Sequence, residues 1–221
     1  LAKEGKFATH QKNCYEGQIK SSGCASPLRA RVCKTTPGIW HAEICLEIPL
    51  VPPLAYANDG SVLIELPGIT HIIEKSPIPK DNLKNFCQQQ RKENRLQGAE
   101  AVGHIWLDPI QNPAETAGGQ KPTHKICPVV WVNATQTLCK ETACGSGTIA
   151  AAIYLSYKYP HDTFCIMQPS GSCLTVHFKK VNGRIEIWIG GFAWEVARGT
   201  TSINPQDRQS SPIFLQSSDS E

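Results

Sequence analysis

Runs of apolar and alternating residues divide the chain into many short strands and two helical stretches. Ile39-Trp40-His41-Ala42-Glu43-Ile44, Cys45-Leu46-Glu47-Ile48, Ser61 to Leu66, Ala101 to Leu107 and Ile126 to Val132 are strand-like in length and composition. Ile69 to Ile73 is apolar on both faces, the pattern of a buried strand. Ser21-Ser22-Gly23 and Thr36-Pro37-Gly38 are breakers, and Asn182-Gly183 predicts a hairpin joining Ser172–Phe178 to Arg184–Ile189. A last strand is expected near Ala193 to Ala197. Asp81 to Leu96 is polar with Leu83 and Phe86 on one side, a surface helix. The second helix starts after Glu141-Thr142-Ala143-Cys144-Gly145-Ser146-Gly147-Thr148 and runs through Ile149-Ala150-Ala151-Ala152-Ile153-Tyr154-Leu155. Being apolar on all sides, it is predicted to be buried. Residues 1–12 are polar and weakly helical, and Pro49, Pro52 and Pro53 suggest a linker between lobes. Many strands around one buried helix predict an α+β fold.

Charge and composition remove several classes. The 22 basic and 19 acidic residues leave a net charge of +3 without a Lys/Arg block, so no nucleic-acid or membrane partner is expected. No apolar run approaches the roughly 18–20 residues of a bilayer span. The opening Leu-Ala-Lys-Glu-Gly-Lys-Phe lacks the apolar region of a signal peptide. A cytoplasmic protein is the resulting expectation. Ten cysteines then admit a disulfide scaffold, a metal site, or buried free thiols with one or two reactive ones. Cys14, Cys24, Cys33, Cys45 and Cys87 lack the pairing of zinc ligands, and no export signal is present, so the third reading is preferred and no metal is expected. Cys24, Cys33, Cys139, Cys165 and Cys173 are assigned to packing, as are Trp40, Trp106, Trp131, Trp188 and Trp194.

Cys144 carries the sharpest chemistry. At the N-cap of the buried helix its sulfur would face orphan backbone N–H groups and the positive end of the helix dipole, which lowers a thiol pKa. The amides of Gly145, Ser146, Gly147 and Thr148 would form a nest for a carboxylate, with the two glycines admitting close approach. A thiolate beside a carboxylate site suits removal of a proton from an amino-acid Cα. The same residues also fit a glycine-rich helix start with an inert cysteine. They fit equally an acyl-transfer nucleophile, for which His71, His104, His124 and His177 are candidate bases by type.

Ala143-Cys144-Gly145-Ser146-Gly147 before a small-residue helix resembles the second cysteine motif of the diaminopimelate epimerase superfamily. Gly68-Ile69-Thr70-His71-Ile72-Ile73 is similar to that family's Gly-Asn-Pro-His segment. Gln168-Pro169-Ser170-Gly171-Ser172-Cys173-Leu174-Thr175-Val176 is similar to its Pro-Gly-Gly-Ser-Leu strand, and Gly190-Gly191-Phe192-Ala193 to its late glycine turn. The resemblance spans roughly residues 18–203. Within the superfamily the likeness runs to the histidine racemases of staphylopine-type metallophore pathways, through Ser22-Gly23-Cys24 with Cys33, through Ala101-Val102-Gly103, and through Glu141 three residues before Cys144.

The resemblance implies two pseudo-symmetric lobes of mostly antiparallel sheet, each wrapped on a central helix. Residues 1–50 and 192–203 would remain of the first, incomplete lobe; residues 51–191 would form the second, and 204–221 a flexible tail. It implies a cofactor-independent racemase or epimerase acting through two thiols. Cys144 would be one base, and Gly145, Ser146, Gly147, Thr148, His71 and Glu141 would hold an amino-acid substrate, with a homodimer compatible. Two departures refine this. Where diaminopimelate epimerases carry Glu-Arg-Gly, this chain has Asn133-Ala134-Thr135-Gln136-Thr137, so the arginine that grips a distal carboxylate is missing and histidine is the better substrate. The family's first Cys-Gly-Asn motif has no match, since Tyr15 and Glu16 follow Cys14. The chain is therefore expected to lack its N-terminal part and to be inactive alone. Diaminopimelate epimerisation, proline-type racemisation and a non-catalytic amino-acid-binding remnant are the alternatives.

Overall fold

A computed structural model describes residues 8–20, 26–36, 38–48, 51–115 and 119–194. Ser22-Gly23-Cys24 and the expected tail, 204–221, lie outside the described residues. The strands are β1 (Ala8–Gln11), β2 (Cys14–Ile19), β3 (Leu28–Thr36), β4 (Ile39–Ile48), β5 (Ala55–Tyr56), β6 (Val62–Leu66) and β7 (Ile69–Ile73), followed by β8 (Ala101–Pro109), β9 (His124–Val132), β10 (Thr137–Lys140), β11 (Thr163–Met167), β12 (Cys173–Val181) and β13 (Arg184–Trp194). The helices are α1 (Leu83–Glu93) and α2 (Gly145–Ser156). All strands join one mixed sheet in the order β1-β2-β3-β4-β13-β12-β11-β9-β8-β7-β6-β5, with β10 paired to β9. The α+β class is as expected.

Most pairs are hairpin-connected and antiparallel. The parallel pairs, β7 with β8 and β9 with β11, occur where a helix intervenes, because a parallel return needs a crossover longer than a turn. The two crossover helices take opposite faces. Leu83, Phe86 and Cys87 of α1 pack on Trp106, Cys127 and Val129. α2 packs on Ile64, Ile73, Ile105, Ile126, Ile166, Val176 and Ile187, drawn from seven strands. The alternation along β8 explains the split, since Ile105 faces α2 and Trp106 faces α1. Ala150, Ala151, Ala152 and Ile153 have no exposed surface. Full burial of each isoleucine or leucine of α2 contributes about 1.5–3 kcal/mol. No helix among the described residues is long and apolar enough to cross a membrane.

Several local expectations change. Residues 8–11 are a strand, not a helix end: they pair with β2 across Asn13, which has positive φ. Asn182 and Gly183 both have positive φ, as their hairpin requires. The strand after them does not stop at Ile189, however. It continues to Trp194, paired with β4 throughout, so the expected boundary after residue 191 falls inside β13. Cys33 does not merely pack: it lies opposite Cys14 in the β2–β3 register, and the two form a disulfide. Cys139 is exposed because β10 is a short edge strand paired only with β9. Trp194 is 64% exposed at the end of β13, whereas Trp106, Trp131 and Trp188 are buried.

Candidate active site

The run from β10 into α2 places Cys144 as N-cap, with φ −135° and ψ 105°. Gly147 N–H donates to its Sγ at 3.3 Å, and Ser146 Oγ lies 3.7 Å from it. A Cβ on residue 147 would stand 2.7 Å from Ile105 Cδ1 and 3.0 Å from Cys144 Sγ. Only glycine lets the helix start settle onto β8 while its amide reaches the sulfur. The first turn of α2 contains no acidic residue, so its positive pole is not neutralised locally.

Burial is the largest influence on the Cys144 thiol, followed by a hydrogen bond to the Glu141 carboxylate and that carboxylate's charge. Together they push the thiol up to about 12, against the downward pull of Gly147 N–H and Ser146. The expectation of a thiol acidified by the helix end is therefore reversed: Cys144 is protonated at neutral pH. The helix effect was readable in sequence, but burial to 5% exposure and the approach of Glu141 were not.

The first-turn donors divide into two groups. Thr148 N–H goes to Cys144 O at 2.9 Å and Gly147 N–H to the thiol. Gly145 and Ser146 N–H have no partner among the described residues, and these two are the unpaired donors at the edge of the cap. The Thr148 hydroxyl has no exposed surface and donates to Cys144 O at 2.6 Å, so it faces inward, away from the cap opening. Gln168, which the sequence presented only as part of a strand motif, donates to Thr148 Oγ1 and accepts from Cys144 N–H.

His71 makes no hydrogen bond with this group. It has no exposed surface, neither ring nitrogen has a hydrogen-bond partner, and burial together with nearby His104 pushes its pKa down to about 3. It is a neutral imidazole whose polar atoms are unmet, at a cost of about 1–3 kcal/mol. Its ring occupies the space over Gly103, where a Cβ would lie 2.1 Å from Nδ1. Gly103→Ala should therefore destabilise the fold by about 1–3 kcal/mol, read as a lower denaturant midpoint. An unchanged midpoint would mean that the ring is not fixed there.

The other histidines do not supply a base for acyl transfer. His104 is tied to Glu74 at 2.6 Å on the α1 face, His177 stacks on Trp188, and His124 meets Thr123. No described hydrogen bond links a histidine to Cys144. One group of potential metal ligands comes together among the described residues: Cys45, Glu47 and Glu186. Arg29 lies among them, 3.4 Å from Cys45 Sγ and 3.2 Å from Glu47, and donates to Glu186. The guanidinium meets their charge, so the group reads as an ionic lock across β3, β4 and β13.

The family model described as "Histidine racemase CntK N-terminal domain" matches residues 1–201. No curated protein matches the chain. Among solved structures, a phenazine biosynthesis PhzC/PhzF protein from Clostridium difficile (strain 630) is similar at 12% identity and a TM-score of 0.44, over 79% of this chain and 62% of that one. A PhzF-family phenazine biosynthesis protein from Enterococcus faecalis is similar at 15% identity and a TM-score of 0.40, over 85% of this chain and 67% of that one. The chain thus spans 62% of the length of the first of these.

Proposed function

The chain belongs to the histidine racemase family defined by that N-terminal domain, and from this premise we propose that it works in cofactor-independent racemisation of an amino acid, histidine first among substrates, by proton transfer between two thiols across Cα. The observation that carries the reading is the Cys144 cap: one protonated thiol beside two unpaired amides at a helix N-terminus.

In this reading the substrate carboxylate accepts from Gly145 and Ser146 N–H, and negative charge spreading from Cα onto the carboxylate is stabilised by the same donors. A thiolate on the opposite face removes the Cα proton, and Cys144, held as a thiol, delivers one to its own face. In the reverse direction Cys144 is the base. Glu141 pairs with the substrate's α-ammonium, which neutralises the carboxylate and relieves its upward push on the thiol, readying Cys144 to exchange its proton. Gly147 admits the close approach, and His71 supports the wall formed by β7 and β8. The opposing thiol belongs to the family's Cys-Gly-Asn motif, which this sequence does not match.

The remaining architecture follows from the same reading. β1 to β4 with the end of β13 are the strands of one lobe, β5 to β12 with α2 those of the other, and the substrate binds between them. Two-thiol chemistry requires Cys144 to stay a free thiol, as it does here, where the disulfide joins Cys14 and Cys33 instead. Loss of Cα–¹H signal in heavy water tests the function in a form of the protein that includes the opposing thiol: histidine should exchange faster than diaminopimelate, with insensitivity to chelators and sensitivity to alkylation. A preference for diaminopimelate would overturn the substrate reading, because the stretch 133–137 is an exposed turn and strand start without an arginine. Exchange that needs pyridoxal phosphate or a metal would overturn the mechanism. Binding of histidine without exchange would favour the amino-acid-binding alternative.

A further inference from the structure

Cys144 is fixed through its backbone as well as by the helix it caps. Gln168 follows β11 directly, in a turn closed by Gln168 N–H to Ser172 O at 2.8 Å and Gly171 N–H to Gln168 O at 2.9 Å. Its side chain, in a residue only 2% exposed, accepts from Cys144 N–H at 3.0 Å. The same amide donates to Thr148 Oγ1 at 3.0 Å and to Ile166 O at 3.2 Å. Thr148 in turn donates to Cys144 O at 2.6 Å. Three bonds thus close a ring running from Cys144 N–H to Gln168, from Gln168 to Thr148, and from Thr148 back to Cys144 O.

The sense of every bond in the ring is determined. Nε2 is a donor only, so Thr148 Oγ1 must accept from it and spend its own proton on the Cys144 carbonyl. Both backbone groups of Cys144 are therefore held from inside, at the ends of the two dihedrals that aim the Cα–Cβ bond. The ring leaves the sulfur to Gly147, Ser146 and Glu141. Apolar side chains would fill the same space without the desolvation cost of a buried amide and hydroxyl, and such a network is tolerable only when every member is satisfied, as here.

We infer that Gln168, acting through Thr148, is a positioning residue that sets the direction of the Cys144 sulfur; this rests on the reading of Cys144 as an acid–base group. A displacement of about 1 Å at a reacting group costs on the order of 10²-fold in rate. Losing the ring should therefore lower turnover rather than substrate affinity.

The test is kcat and KM for Cα-deuterium exchange of histidine by the protein in a form that includes the opposing thiol, and by four variants of that form. Gln168→Glu keeps shape and the acceptor for Cys144 N–H but loses the donor to Thr148 and Ile166; Thr148→Val keeps shape but loses the hydroxyl. Both should lower kcat by about 10- to 100-fold while KM changes by no more than about threefold. Thr148→Ser, which restores the hydroxyl, should recover most of that loss. All rates are taken below each variant's melting temperature, and if Gln168→Glu fails to fold, the Thr148 pair carries the comparison. Wild-type kcat in Thr148→Val, or Thr148→Ser as impaired as Thr148→Val, would overturn the inference and leave a packing role. Cys144→Ser is run alongside: full exchange there would remove the acid–base reading itself, as would a wild-type protein without exchange. Loss in Cys144→Ser with normal rates in the ring variants would defeat this inference alone.

Discussion

Cys144→Ser should lose Cα-hydrogen exchange by about 10²- to 10⁴-fold, the contribution typical of a positioned acid–base group, with little change in stability. Serine is among the better N-cap residues and its hydroxyl can take the Gly147 N–H in place of sulfur, so the start of α2 survives the change. The hydroxyl titrates far above a thiol and cannot trade a proton with a carbon acid on the same terms. The pair of measurements is exchange by proton NMR in heavy water and the melting temperature of the same preparation. Exchange within a small factor of wild type, at equal melting temperature, would remove Cys144 from the chemistry.

The second large effect concerns the thiol without substrate. With Cys144 pushed up to about 12 by burial and by Glu141, the protein at pH 8 should hold on the order of 10³-fold less thiolate at this position than a free cysteine titrating near 8.5. Alkylation of Cys144, located by peptide mapping, should be correspondingly slow and should keep rising with pH beyond the point where free thiols level off. The sign for Glu141 is fixed by charge: a carboxylate beside a thiol disfavours the thiolate, so Glu141→Gln should move the profile downward and speed alkylation at pH 8 by about tenfold or more. A wild-type midpoint below 8.5 would mean that the helix end dominates after all. An unchanged profile in Glu141→Gln would leave burial as the whole cause.

That reversal marks the limit of what the sequence disclosed about the site. Small residues running into an unbroken apolar segment announced α2 and put Cys144 at its cap, because cap and burial are both local in sequence. The Gln168 ring was hidden because its members are 20 and 24 residues apart. The acidity of the thiol depended on how deeply the cap is covered and on where the Glu141 side chain points, neither of which is written in the motif. Strands β6 to β9 were legible from their apolar runs. β1 and β2 were not, since polar strands at one end of the sheet lack the alternation that marks a buried face. β13 was cut short in the sequence reading because Gly190-Gly191 looks like a turn. In the structure a Cβ at 190 would lie 2.4 Å from Ala42 O, so this glycine allows close approach within an uninterrupted strand.

β13 also gives the sheet an uneven stiffness. From Ile185 to Gly190 it is hydrogen-bonded on both sides, to β4 and to β12; from Gly191 to Trp194 its partner is β4 alone. The first stretch is a beam supported along both edges, and Ile189 within it lies under Gly145 at the cap. The second is a cantilever, four residues long, held to the sheet by β4 alone. Opening of this overhang beyond the glycine pair is resisted by one ladder of bonds. The floor beneath Cys144, with two ladders, keeps its shape.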